Sequence, residues 1–307
     1  MRAAAIQLEA KLADVEENLA MCERLAAEAA EGGAELIVLP EFFSSAIGFA
    51  PELASAVRPI DGAPAELLRD LAVRHRALVG GSFLARDEDG EVRNAFLLYE
   101  PDGSLAGRHD KDMPTMWENS FYVGGNDDGV ITTSSGLRLG VALCWELMRT
   151  QTPRRLAGRV DIVVGGSGWW SQPANWPGPL VGGAERRNRA LARRAAAEFP
   201  LYVGVPLVHA SHAGSLRCGM PGAIGGYVGH FEGAAMVVER DGRVLAERDW
   251  SDGEGVLVAE VEPGAAEPAR QLPDRFWLHD RGYLATCAWN VQRLHGRRWY
   301  RRNVAAA

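Results

Sequence analysis

The 307 residues are enough for one large domain or two ordinary ones, and 47% hydrophobic with 24% charged content describes a soluble globular chain with ample core. A net charge of −7 and a pI near 5.6 exclude a broad basic surface for nucleic acid. The amino terminus reaches a charge too early for a signal peptide, and no apolar run is long enough to cross a bilayer, so a cytoplasmic protein without membrane contact is expected.

Residues 2–8 read as a short buried strand. Asp14 then caps a helix whose apolar positions Val15, Leu19, Cys22, Leu25, Ala26 and Ala29 follow the helical repeat until Gly32-Gly33. Residues 35–40 form a continuous apolar strand closed by Pro40, and Glu41 follows at once. A helix is expected over 64–75, and strands over 77–84 and 94–99, separated by the polar turn 86–90. Residues 108–122 hold no period and read as a loop pinned by Pro114. Leu137, Leu139, Val141 and Leu143 alternate as a strand that stops at Cys144, and a basic helix is expected over 150–158. A strand at 160–164 runs into Gly165-Gly-Ser-Gly-Trp-Trp170. A helix rich in alanine and arginine follows at 184–198, then a strand at 201–208 and a long loop at 208–226. Late strands at 231–239, 243–248 and 255–260 are joined by tight turns, and a basic helix closes the chain over 284–301. Alternating strands and helices followed by a meander predict an α/β fold with a mixed sheet. No linker, repeat or low-complexity segment interrupts it, so residues 1–307 are read as a single domain.

The residues that carry chemistry stand at comparable places. Glu41 and Cys144 each end a buried strand, and Lys111 lies in the loop between them; in α/β folds sites assemble at the carboxyl ends of strands. A carboxylate can take a thiol's proton, an ammonium can stabilise an oxyanion, and a thiolate can attack a carbonyl or nitrile carbon. Only two of the 33 basic residues are lysines, Lys11 and Lys111. Lys11 sits in a polar stretch and reads as a surface group, which leaves Lys111 to explain: an arginine cannot replace a compact ammonium where the geometry is tight. Glu118 is placed to orient or balance it. On local sequence alone Cys144 would more readily read as a small buried hydrophobe, and only the other two stretches reverse that reading.

Pro40-Glu41-Phe42, the Lys111 loop and Leu143-Cys144-Trp145-Glu146 resemble, in order and approximate spacing, the three signature regions of the nitrilase superfamily of carbon–nitrogen hydrolases. The segment from Gly229 to Glu247 resembles the family's closing strands, so the likeness covers most of the chain. The resemblance implies a four-layer α-β-β-α sandwich that pairs with a second copy as a homodimer or larger homo-oligomer; the basic helical tail from about residue 280 reads, from its own sequence, as a solvated or subunit-contact face. It implies no metal and no organic cofactor. It assigns Glu41 as general base, Cys144 as nucleophile, and Lys111 with the Trp145 N–H as oxyanion stabiliser, and it matches Glu118 to the family's second glutamate. The substrate it implies is a small amide or nitrile. The Trp-Glu pair after the nucleophile resembles the nitrilase branch, whereas Leu147-Met-Arg149 departs from it, and amide hydrolysis is the reading preferred here.

Other signals divide. Trp117, Trp145, Trp169, Trp170 and Trp176, five of the nine tryptophans, gather around the lysine and cysteine motifs and suit either a bulky-substrate pocket or ordinary packing. His209 and His212 have ligand-like spacing but fall in the expected loop at 208–226, which is long enough to cover a site mouth. Gly165-Gly-Ser-Gly168 lacks the lysine and spacing of a phosphate loop. Glu146 is read as a structural partner for a nearby arginine. Cys22, Cys218 and Cys287 have no acid or base motif beside them and are read as packing residues, with no CxxC or metal-finger spacing among the four cysteines. Two competing classes are a silent binding protein on the same fold, disfavoured by the intact Glu, Lys and Cys, and a thiol redox protein, for which no resolving cysteine is evident.

Overall fold

The computed structural model describes residues 1–220, 225–280 and 282–305. Strands β1 (Arg2–Leu8), β2 (Leu36–Val38), β3 (Arg58–Pro59), β4 (Leu78–Arg86), β5 (Val92–Tyr99) and β6 (Leu105–Asp110) occupy the first third, with helices α1 (Val15–Glu31) and α2 (Ala63–His75) between them. Then follow β7 (Val130–Thr132), β8 (Arg138–Val141), α3 (Gln151–Leu156), β9 (Ile162–Ser167), α4 (Gly178–Val203) and β10 (Leu207–His212). A separate hairpin, β11 (Ser215–Cys218) with β12 (Tyr227–His230), precedes β13 (Gly233–Val238), β14 (Val244–Asp249), β15 (Gly255–Glu260) and the terminal helix α5 (Gly282–Asn303).

Hydrogen bonding links thirteen strands into one continuous network, which folds as two mixed sheets of six with β3 at the side. One runs β15-β1-β2-β4-β5-β6, with β3 against β4; the other runs β14-β13-β10-β9-β8-β7. They join where the end of β1 pairs in parallel with the end of β10, at Gln7 with Ser211 and Leu8 with His212. The period of two decides which side chain faces which layer. Ala3, Ala5, Leu36, Val38, Leu139, Val141, Ile162, Val164, Val208 and Val237 fill the space between the sheets. Ala4, Ile6, Ile37 and Leu39 turn outward under α1 and α2, while Val163, Leu207, Met236 and Val238 pack under α3 and α4. Three apolar layers between four layers of secondary structure give the expected α-β-β-α sandwich.

Asp14 caps α1 by accepting from the Glu17 N–H at 3.2 Å, and Gly32 ends it, as the sequence predicts. Three expectations are corrected. The stretch expected to be a loop from 108 begins inside strand β6, whose polar residues obscure the alternation. The strand expected at 201–208 is displaced: α4 continues through Pro200 to Val203, and the strand starts after Pro206. The long loop expected over 208–226 is β10 and the β11 strand of a hairpin; residues 221–224 lie outside the described residues.

Helix α5 lies against its own chain. The Trp289 Nε1 donates to the Pro114 carbonyl at 3.4 Å, Trp299 packs on Phe121 and Phe49, and the Val92 N–H donates to the Tyr300 hydroxyl at 2.9 Å. Its other face carries the exposed Val291, Leu294, Arg297, Arg298, Arg301 and Arg302. Among the described residues, no helix is long and apolar enough to cross a membrane.

Candidate active site

Glu41, Lys111, Glu118 and Cys144 meet at one fully buried place. Lys111 Nζ donates to Glu41 Oε1 at 2.7 Å and to Glu118 Oε2 at 2.8 Å. Glu41 is held on both oxygens: Asn94 Nδ2 donates to Oε1 at 2.9 Å, and the Gly168 N–H donates to Oε2 at 2.9 Å. Glu118 Oε2 also accepts from the Thr115 N–H at 2.8 Å and from the Tyr122 hydroxyl. Its Oε1 has no partner among the described residues. An isolated charge would be intolerable at this depth; the ammonium between two carboxylates makes the cluster stable.

Local conformation explains how the chain presents these groups. Phe42, Met116 and Cys144 have positive φ of 55°, 49° and 49°, a region that non-glycine residues rarely enter and that clusters at functional sites. Cys144 thus sits on a sharp elbow at the end of β8, opening the short helical turn Cys144–Met148. A second turn, Met116–Ser120, repeats the pattern. In each, a left-handed residue is followed by Trp-Glu, and the glutamate folds back onto the N–H before the turn: Glu118 onto Thr115, Glu146 onto Leu143 at 2.8 Å. The glycines of Gly165-Gly-Ser-Gly168 have a steric cause. A Cβ at Gly165 would lie 2.0 Å from the Ala142 carbonyl oxygen, and one at Gly166 would lie 2.8 Å from Glu41 N and Pro40 Cα. Bare backbone in β9 is what lets the Glu41 and Cys144 segments approach.

The electrostatics set a proton inventory. Burial pushes the Glu41 carboxyl up to about 7, against the lowering influence of Lys111. Burial alone would lower the Lys111 ammonium, but the Glu118 and Glu41 carboxylates hold it well above its ordinary value. The Cys144 thiol is pushed well up by burial and by the Glu41 charge, with Lys111 and a hydrogen bond from the Trp145 N–H acting the other way. At neutral pH the resting site therefore holds a thiol beside a carboxyl poised to ionise and a permanent ammonium.

Behind the elbow, Glu146 is a buried hub. It accepts from His109 Nε2 at 3.0 Å, Arg155 at 3.1 Å, and the Asp112 and Leu143 N–H groups. The arginine partnership expected of it is present, with His109 added. Both His109 nitrogens face carboxylates, Asp127 at 2.5 Å and Glu146; burial alone would lower its pKa, but these charges raise it to about 9.

The tryptophans separate into two groups. Trp145 packs against Trp169, Trp277 and Trp289; Trp117 packs against Trp170, with centroids 4.3 Å apart, and against Tyr227. Trp176 is 47% exposed and belongs to neither. His209 and His212 are not loop residues: both are buried in β10, where burial lowers each to about 4 and keeps it neutral. His212 Nε2 donates to the Glu41 carbonyl at 2.6 Å. Cys287 is exposed on α5, so it is not a packing residue; Cys22 is on the buried face of α1 and Cys218 is partly covered. Sequence reasoning did not single out Asn94 or Tyr122, and it set Gly168 and His212 aside without a place in the site. Of these only Tyr122, four residues after Glu118, carried a helical-spacing signal. Away from the cluster, Glu185, His230 and Glu232 bring ligand-type atoms within 4.8 Å of one another, but Arg189 already supplies their countercharge at 3.1 Å from Glu232 and 3.3 Å from Glu185.

Residues 2–271 match the family model for carbon–nitrogen hydrolases. The chain belongs to that family. As a carbon–nitrogen hydrolase of the nitrilase superfamily it is similar to an aliphatic nitrilase of Rhodococcus rhodochrous, 26% identical over 295 residues covering 89% of this chain and 78% of that protein. It is also similar to an omega-amidase of Xenopus laevis, 25% identical over 52% of this chain and only 62% of that protein, under two thirds of its length. Among solved structures, a carbon–nitrogen hydrolase from Helicobacter pylori G27 shares its fold with a TM-score of 0.70 at 21% identity, covering 85% of this chain and 89% of that one. An amidase from Nesterenkonia sp. AN1, solved with acrylamide added to its active-site cysteine, does so at 0.62 and 22% identity, covering 90% of this chain and 96% of that one.

Proposed function

We propose that this hydrolase cleaves an amide-type substrate through a thioester on Cys144, giving a carboxylic acid and ammonia or an amine. The observation that carries the reading is the Lys111 ammonium held between Glu41 and Glu118 beside the Cys144 elbow. Because the resting sulfur is protonated, attack and proton transfer belong together. Sγ bonds to the substrate carbon as its proton passes to ionised Glu41, and Lys111 with the Trp145 N–H receives the charge that develops on oxygen. Glu41 returns the proton to the departing nitrogen as the carbon–nitrogen bond breaks. Water, deprotonated by the same carboxylate, then hydrolyses the thioester and restores the thiol. The free Oε1 of Glu118 is an acceptor for a substrate N–H. Trp117, Trp145, Trp169 and Trp170 are proposed as walls of the substrate site, and a second copy of the chain as the partner.

Nitrile hydrolysis is the second reading. The Trp145-Glu146 pair and the similarity to an aliphatic nitrilase favour it. Paired amides and nitriles sharing one acyl group separate the two by ammonia release. Cys144→Ala is expected to abolish turnover while keeping the melting temperature, and wild-type protein quenched mid-turnover is expected to carry one acyl group on Cys144. Undiminished turnover in Cys144→Ala would overturn the mechanism.

A further inference from the structure

Glu146 joins the two segments that carry Lys111 and Cys144. Its Oε2 accepts from the N–H of Leu143, the residue before the nucleophile, and its Oε1 accepts at 3.1 Å from the N–H of Asp112, the residue after the lysine. One fully buried carboxylate thus spans the end of β6 and the end of β8, strands that belong to different sheets. Its own position is fixed from behind by His109 and Arg155. Its twin at the other turn, Glu118, makes the same fold-back bond but spends its remaining contacts on Lys111 and Tyr122. Glu146 has no contact of that kind with a reacting group. Lys111 itself is set along its strand by its N–H to the Asn94 carbonyl at 3.0 Å and by the Gly125 N–H to its own carbonyl at 2.9 Å, neither of which refers to Cys144.

We propose that Glu146 is a positioning residue: it fixes the separation between Lys111 and the Cys144 elbow, and thereby how well the ammonium meets charge developing next to sulfur. The proposal rests on the Glu41–Lys111–Cys144 reading given above. A simple helical cap would need only the Leu143 bond, and a simple ion-pair partner only His109 and Arg155; the Asp112 N–H is required by neither. The two segments keep a second tie without Glu146, because the Asp112 carboxylate pairs with Arg149 and with Gln151 at 2.5 Å. Loss of Glu146 should therefore shift their spacing rather than separate them.

Glu146→Gln tests this, because an amide offers one accepting oxygen where two backbone N–H groups need one each. Arg155→Gln is the comparison: it removes a cationic partner and leaves both backbone tethers. Both are measured for melting temperature, for kcat and KM on an amide or nitrile that the wild type turns over, and for the rate of Cys144 alkylation by iodoacetamide, read by peptide mass spectrometry. Displacement by a fraction of an ångström to 1 Å predicts a kcat loss of about 10²-fold in Glu146→Gln. KM should stay within roughly threefold, since a group acting only on the reacting atoms leaves ground-state binding alone. Cys144 alkylation should slow as well, and Arg155→Gln should lose at least about tenfold less kcat than Glu146→Gln. Equal kcat per folded molecule in the two variants, or a KM that rises in step with the lost kcat, would overturn the proposal. Where Glu146→Gln does not fold, Glu146→Asp carries the same comparison, since it keeps the charge but falls one methylene short of spanning both N–H groups. A wild type that turns over nothing in the panel would count against the hydrolytic reading, while the alkylation rates would still decide the clamp.

Discussion

Replacing Lys111 by arginine keeps the charge and loses the fit. The ammonium is a point donor enclosed by Glu41 and Glu118 with no exposed surface, whereas a guanidinium is planar, longer and forked. Lys111→Arg is expected to lower kcat by about 10²–10³-fold, the usual effect of losing one oxyanion donor. Lys111→Met should also unfold the protein more easily, by about 3–5 kcal/mol in denaturant titration, because two buried carboxylates then lack a cation. The same cluster fixes the sign of the pH dependence. In the proposed mechanism Glu41 works as a carboxylate, and burial raises it to about 7, so kcat/KM is expected to climb with pH and level off above about 7. Asn94→Leu removes a hydrogen bond that favours the ionised form, which raises the carboxyl further and moves the acidic limb to higher pH. Matched pH–rate profiles for wild type and Asn94→Leu check both statements; a limb that stays put or moves to lower pH contradicts the role given to Glu41.

At the scale of elements, β9 is where the site is most sensitive to a single methyl group. A Cβ on Gly166 meets backbone atoms of Pro40 and Glu41, which cannot swing aside as a side chain would. Gly166→Ala is expected to cost about 1–3 kcal/mol in chemical denaturation and a larger share of activity, since the displaced segment carries Glu41. The steric role of this glycine was not legible in the sequence, where the run could only be judged against phosphate loops. What was legible had strong local causes. The Asp14 cap and the helical repeat to Ala29 specify α1 almost residue by residue, and the apolar run before Pro40 locates β2, of which only Leu36–Val38 pairs as strand. Glu41, Lys111, Glu118 and Cys144 were legible as motifs, although only tertiary structure brings them together. Asn94 and His212 were not, because each lies within a strand and acts through a contact more than fifty residues away. The displaced β10 shows a competing influence. Leu201-Tyr-Val203 has strand-forming residues after a proline, yet it finishes α4, with Tyr202 and Val203 packed under the second sheet.

Across the whole molecule, the terminal helix is the part that the family match does not reach, ending as it does at residue 271. The arginine-rich sequence of α5 reads as a solvated or subunit-facing surface, and one face of it is exposed on the single chain. Its covered face does something else: it buttresses the turn that carries Glu118. Gly296 marks a close approach, since a Cβ there would lie 2.9 Å from Asn119 Cβ and 3.0 Å from the Asn119 carbonyl carbon and Ser120 N. Asn119 and Ser120 directly follow Glu118 within Met116–Ser120, and Pro114 and Phe121 on either side are held by Trp289 and Trp299. A side chain at 296 should therefore act on the site from outside it. Gly296→Leu is expected to lift the helix from the turn, lower the melting temperature, and reduce kcat through Glu118 and Lys111, while Leu294→Ala on the exposed face leaves kcat unchanged. The measurement is kcat at a temperature where both variants are fully folded by circular dichroism. Equal kcat in the two would mean that α5 stabilises the molecule without setting the geometry of its candidate active site.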